Sequence, residues 1–193
     1  PKPSSAASDV YKRQEKMGMK AQDTSELFFN DVKVPKDNLL GEAGMGFIYL
    51  MRELPQERLS IAVSAVAACE AVILETVKYV RQCTAFGKTI ADFQHTQFKL
   101  AELEAEVTVM RVFIDRCAEL LVKKELSTVE ASKAKLLATE LQGKVTDQCV
   151  QMHGGYGYMW EYPVARAYAD ARVQRIYGCL LYTSPSPRDV EEA

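Results

Sequence analysis

Apolar positions through the middle of the chain recur every three or four residues, the period of an α-helix that buries one face. The pattern sets in at Phe47 and runs to about Arg81, and Pro55 within it predicts a local kink because proline removes a backbone hydrogen bond. After a turn at Phe86-Gly87-Lys88 the period resumes. Leu100, Leu103, Val107, Met110, Ile114, Cys117 and Leu121 alternate three- and four-residue spacings, the seam of a bundle helix. A third helix opens at Ser127-Thr128-Val129-Glu130, where hydroxyl and carboxylate are spaced to satisfy each other's backbone N–H groups, and it runs to about His153. Gly154 and Gly155 stop it, and Tyr162-Pro163 starts a short fourth helix. Leu27–Val34 has a different character: aromatic and β-branched residues closed by Pro35 predict a strand, followed by a Gly-bearing loop from Asn38 to Gly46. Long amphipathic helices joined by short connections predict a mainly α fold, an up-and-down bundle with antiparallel neighbours.

Both ends lack this periodicity. Residues 1–14 are rich in Ser, Ala and Pro, and Cys179–Arg188 break a helical region with a Ser-Pro run. Both resemble translated sequencing-adapter read-through, and two natural flexible tails are the other reading. The informative chain is therefore 15–178. Composition narrows the partner: 48% hydrophobic and 26% charged residues are ordinary for a globular protein, and a net charge of -2 without a basic run argues against nucleic acid. No uncharged apolar stretch approaches the roughly 20 residues of a membrane span. Cys69, Cys83, Cys117, Cys149 and Cys179 are widely spaced with no C-x-x-C, so reduced thiols are expected, and His95 and His153 are too few for a histidine-based metal site.

Three places carry candidate chemistry. Glu57 shares the helical stripe of Leu50, Leu54 and Ile61, an unusual place for a carboxylate. Burial there, with Glu53 one turn back, would raise its pKa and suit it to proton transfer near neutrality, while Arg58 would oppose them. From spacing alone, a solvated edge of Glu53 and Glu57, or a pair with Arg58, is the favoured reading. The run His153-Gly154-Gly155-Tyr156-Gly157-Tyr158 could let a backbone approach a phosphate, or could simply end a helix. Phe86-Gly87, Gln94 and Gln97 are unremarkable singly.

In order along the chain, MGMKAQDTSELFFNDVKVPKDNLLGEAGMGF, LPQERL, AFGKTIADFQ and QMHGGYGYMWEYPVARAYADARVQRIYG resemble the acyl-CoA dehydrogenase family across 15–178. The resemblance implies FAD as cofactor and dehydrogenation of an acyl-CoA to a trans-2-enoyl-CoA in fatty acid β-oxidation. LPQERL is similar to long-chain and isovaleryl members, which carry the catalytic base on this helix; it makes Glu57 the base, Arg58 the arginine beside it and Leu54 part of the acyl pocket, with Leu54 and Arg58 toward substrate. The run Met51–Leu59 inclines to the long-chain type. Isovaleryl-type dehydrogenase, acyl-CoA oxidase and a non-enzymatic helical interaction module remain alternatives. Phe86, Gln94, Gln151 and Gly155 fall on positions that touch a neighbouring subunit's FAD, which implies a homodimer or homotetramer, with electron-transfer flavoprotein as acceptor. The resemblance also implies a bacterial cytoplasm or a mitochondrial matrix. It divides the chain into tails at 1–14 and 179–193, the β remnant of a middle domain at 15–43, and a helical C-terminal domain at 44–178 that lacks its last helix.

The sequence departs from this family pattern at Cys83, where the family has an arginine reaching the flavin pyrophosphate; Arg81 is two residues off. It departs again after Gly178, where a glycine and a Thr-Asn-Glu stretch are expected, and the resemblance leaves the family's amino-terminal helical domain and nearly all of its middle β-domain unmatched.

Overall fold

The computed structural model describes residues 15–22, 24 and 31–178. Among these, four helices form the body: α1 (Gly46–Gln82), α2 (Gln94–Val122), α3 (Thr128–His153) and α4 (Pro163–Gln174). A two-stranded hairpin, β1 (Thr84–Ala85) with β2 (Lys88–Thr89), separates α1 from α2. The contacts fix the helix directions. Arg58 meets Ser132 and Tyr79 meets the His153 carbonyl, both 74 residues apart, so α1 and α3 run in parallel. Glu70 pairs with Arg111 across α1 and α2, and Lys144 with Glu102 across α3 and α2; with short joins linking the end of α1 to the start of α2 and the end of α2 to the start of α3, α2 is antiparallel to both. Arg175 reaches Glu140 while Tyr162 packs against His153, which turns α4 back along α3. The result is up-down-up-down, as short connections between long helices predict.

The core is built on small side chains. Ala62, Ala65, Val66 and Cys69 of α1 lie against Ala134, Ala138, Val145 and Cys149 of α3, with Leu103, Val107, Ile114 and Cys117 of α2 closing the third side. Alanine and cysteine let helix backbones approach closely, so the seam is dense. Of the expected α2 seam, Leu100, Met110 and Leu121 are only half-buried. By length and composition α1 could cross a membrane, yet 44% of its most apolar stretch is buried in the protein, as befits a central bundle helix.

Local chemistry sets the ends. Ser127 Oγ accepts from the Glu130 N–H at 3.1 Å, and Glu130 Oε2 accepts from the Ser127 N–H at 3.2 Å, completing the expected capping box. Gly154 closes α3 at φ 57°, a conformation that glycine adopts without a Cβ penalty. Helix α1 continues through Pro55 without a break. The strand expected over Leu27–Val34 is a correction. Leu27–Asn30 lie outside the described residues, and Asp31–Val34 are unpaired irregular chain because no described strand offers them a ladder. The tails at 1–14 and 179–193, with Cys179, also lie outside the described residues. The segment before the bundle docks on α4: the Met19 N–H donates to Asp170 Oδ1 at 2.5 Å, and Lys20 Nζ sits 4.9 Å from the centre of the Trp160 ring.

Candidate functional site

Two clefts mark opposite ends of α1. The first, about 500 Å³, is walled by Glu53, Gln56, Glu57 and Ile61 of α1 and faced by Tyr177 and Gly178 beyond α4. Glu57 is exposed on its wall, and Leu50 on the same stripe is 65% exposed. Glu53 and Glu57 thus lie on a solvated edge, the reading that spacing favoured, and not in apolar surroundings. The buried face of α1 runs through Leu59, Ala62, Val66 and Cys69, and Glu57 lies off it. Leu54 is half-buried on that stripe.

Arg58 turns the other way and is 3% exposed. Its guanidinium donates to Ser132 Oγ at 2.7 Å and to the Gly178 carbonyl at 3.3 Å, while the Ser132 hydroxyl donates to the Thr128 carbonyl at 2.7 Å. Arg58 therefore ties α1, α3 and the chain after α4 together beneath the cleft floor. Gly178 holds φ 67°, and a Cβ there would run into Ile61 Cδ1. The left-handed backbone at this point of the cleft favours glycine, and any side chain here would displace the end of Ile61.

The second cleft, about 410 Å³, lies about 33 Å further along α1 at roughly 1.5 Å per residue. Cys83, His95, Lys99, Gln148, Gln151 and Gly154 line it. On its floor Tyr79 stacks on His153 with ring centroids 4.1 Å apart. The His153 Nδ1–H donates to the Cys149 carbonyl at 2.8 Å, an assignment that follows because a carbonyl can only accept. Burial holds the His153 pKa below its ordinary value, so the ring is neutral. Burial, then the Cys83 thiol, pushes the Tyr79 phenol up to about 12. Neither ring is set up as a proton carrier near neutrality.

Of the residues expected to touch cofactor, Gln151 lines this cleft together with Cys83. Phe86 stands at the tip of the hairpin that follows Cys83, 97% exposed and at φ 53°, with Gly87 at φ 79°. Two-residue hairpin turns with both φ positive favour Asn, Asp or Gly, so a phenylalanine in one is locally strained and presents a bare ring. Gln94 opens α2 next to His95, and Gly155 follows Gly154; each neighbours a lining residue in sequence without lining the cleft itself. Gln97 instead donates to the Ala91 carbonyl at 2.9 Å. Sequence reasoning missed Lys99, Gln148, Tyr177 and Gly178. The spacing of Gln148 with Gln151, and of Thr96 with Lys99, places each pair on one helix face and was the available signal.

An up-down-up-down bundle with a carboxylate-walled cleft at one end and a polar cleft at the other defines a class of helical domain, and residues 44–178 match the family described as acyl-CoA dehydrogenase, C-terminal domain. The long-chain specific acyl-CoA dehydrogenase of Rattus norvegicus mitochondria is 60% identical over 86% of this chain. The short-chain specific acyl-CoA dehydrogenase of Megasphaera elsdenii is 40% identical over the same share. The crystal structure of an acyl-CoA dehydrogenase complexed with FAD from Bacillus anthracis superposes with a TM-score of 0.86 at 30% identity, over 91% of this chain and 33% of that one. The chain belongs to the acyl-CoA dehydrogenase family. It spans 39% of the length of the rat relative and 43% of the Megasphaera one.

Proposed function

We propose that this chain is the carboxy-terminal part of an FAD-dependent enzyme that α,β-dehydrogenates long-chain acyl-CoA, with Glu57 as the base. The observation that carries the reading is the opposition of two neighbours on α1: Glu57 is free at a cleft wall, while Arg58 is buried and bonded to two other segments. A base must be accessible to its substrate and held by something rigid, and this pairing supplies both. Glu57 takes the α-proton of the acyl thioester. Arg58 keeps the helix and the Gly178 backbone in register around the reacting carbons, and Leu54 with Ile61 offers apolar contact to the acyl chain. FAD, when bound, accepts the hydride that leaves the β-carbon.

The residues at the second cleft fit such a cofactor. An added Cβ at Gly154 or Gly155 would meet nothing within 4 Å, so the backbone there is open to close approach. Gln148 and Gln151 offer amide donors beside it, and the Phe86 ring has space to stack. The clefts lie at opposite ends of α1, which suits one chain that serves its own substrate at Glu57 and a neighbouring copy's cofactor at Gln151. A homodimer or homotetramer follows, with electron-transfer flavoprotein as the oxidant. Identity of 60% to a long-chain enzyme against 40% to a short-chain one favours the longer substrate.

The test is Glu57→Gln in the complete enzyme. Shape is kept and basicity lost, so FAD and acyl-CoA binding should persist while turnover of a long-chain acyl-CoA falls at least about a hundredfold. Turnover near the parental rate would remove Glu57 from the role.

A further inference from the structure

The second cleft contains one permanent cation among the described residues that line it, Lys99. Cys83, on the same wall, offers only a thiol, and Arg81 is not among the lining residues. Lys99 Nζ sits 2.7 Å from Glu102 Oε2 and is its foremost partner, but Glu102 has a second cation beside it. The other carboxylate oxygen takes Lys144 Nζ at 3.0 Å, and Lys144 also holds Glu106 at 2.6 Å. If Lys99 turned inward, Glu102 would keep Lys144, shared with Glu106, as a partner. Lys99 is therefore a charge in reserve, on a four-carbon stem long enough to swing, beside Gln148, Gln151 and the uncapped first turn of α2.

We propose that Lys99 supplies the cationic contact to the diphosphate of the bound flavin dinucleotide in this cleft, in place of the guanidinium that Cys83 does not provide. The inference rests on the flavin reading above and assigns a residue that the family pattern does not name. An ammonium neutralises a diphosphate as a point charge and lacks the two-pronged geometry of a guanidinium, so the contact is adequate in charge and weaker in direction. It also requires Lys99 to exchange Glu102 for phosphate, which makes Glu102 a competitor for the site.

Isothermal titration of inorganic pyrophosphate into the 193-residue chain at low salt tests this. Lys99→Met should weaken binding at least about tenfold, and Lys99→Arg should hold it within about threefold. Glu102→Gln should tighten it by releasing Lys99, and Cys83→Arg should tighten it by about tenfold and make the loss of Lys99 less damaging. Unchanged affinity in Lys99→Met while Cys83→Arg still tightens would overturn the role of Lys99 and leave the flavin reading standing. Binding by Cys83→Arg alone, with none by the parent, would do the same. No binding by either would remove the cleft as a diphosphate site and the flavin contact with it.

Discussion

Glu57 and Arg58 are adjacent in sequence and divided in space, because successive side chains on a helix point about 100° apart. Spacing alone placed Glu57 with Leu50, Leu54 and Ile61 on one helix face; it carried no information on what packs over that face, and the described residues leave Glu57 and Leu50 exposed. Arg58 was legible only as a companion of the carboxylate, whereas its partners are Ser132, 74 positions away, and Gly178. Such pairings are set by helix direction and register, which no local pattern encodes. The Arg58–Ser132 bond is testable. Ser132→Ala leaves a guanidinium N–H without that partner in a buried place, and hydrogen bonds to charged groups contribute about 1.5–3 kcal/mol. The denaturant midpoint should fall accordingly with an unchanged slope, while Ser132→Thr, which keeps the hydroxyl, should fall less. A loss below about 0.5 kcal/mol in the alanine variant would mean that water or Gly178 satisfies the guanidinium equally well.

At the scale of elements, ends written in short-range chemistry were readable and elements that need a partner were not. The α3 capping box and the Gly154 stop involve residues within one turn of each other, so the sequence displays them directly. The strands β1 and β2 are two residues each, too short for any periodicity, and Asp31–Val34 had strand composition without a described neighbour to pair with. The capping box contributes measurably to folding. Ser127→Ala should destabilise by about 1 kcal/mol, the usual worth of an N-cap side chain. The effect carries a pH signature. The Ser127 hydroxyl first, and its N–H second, hold Glu130 below the ordinary carboxylate range, so this stabilisation is complete above about pH 4.3 and is lost as pH falls through the folded pKa. The gap between parent and Ser127→Ala should be widest at pH 6–7 and should narrow near pH 3, though not vanish, because the hydroxyl still accepts from the Glu130 N–H. Equal gaps at the two pH values would show that the bond from the Ser127 hydroxyl to the Glu130 carboxylate contributes nothing.

At the scale of the whole molecule, the bundle buries one core and leaves apolar surface on two sides. A groove of about 440 Å³ between α2 and α3 is lined by Ala105, Val109, Met110, Leu137 and Leu141, and Val109 and Val112 are 71% and 65% exposed. The amino-terminal half of α1 adds Phe47, Leu50 and Met51. Scattered exposed leucines need no explanation, but contiguous patches on two faces do. Covering even a few hundred Å² of apolar surface at about 25 cal/mol per Å² is worth several kcal/mol, comparable with the whole stability of a domain. The isolated 193-residue chain should therefore be strongly helical by circular dichroism yet self-associate at micromolar concentration, and it should show no acyl-CoA dehydrogenase activity, since it spans about two fifths of the rat relative. Val109→Lys with Val112→Lys places two charges on the α2 face, where desolvation opposes association, and should shift the light-scattering mass toward monomer without loss of helix signal. A monodisperse parental monomer, or a double variant that associates as strongly as the parent, would show that this face is not what brings copies together.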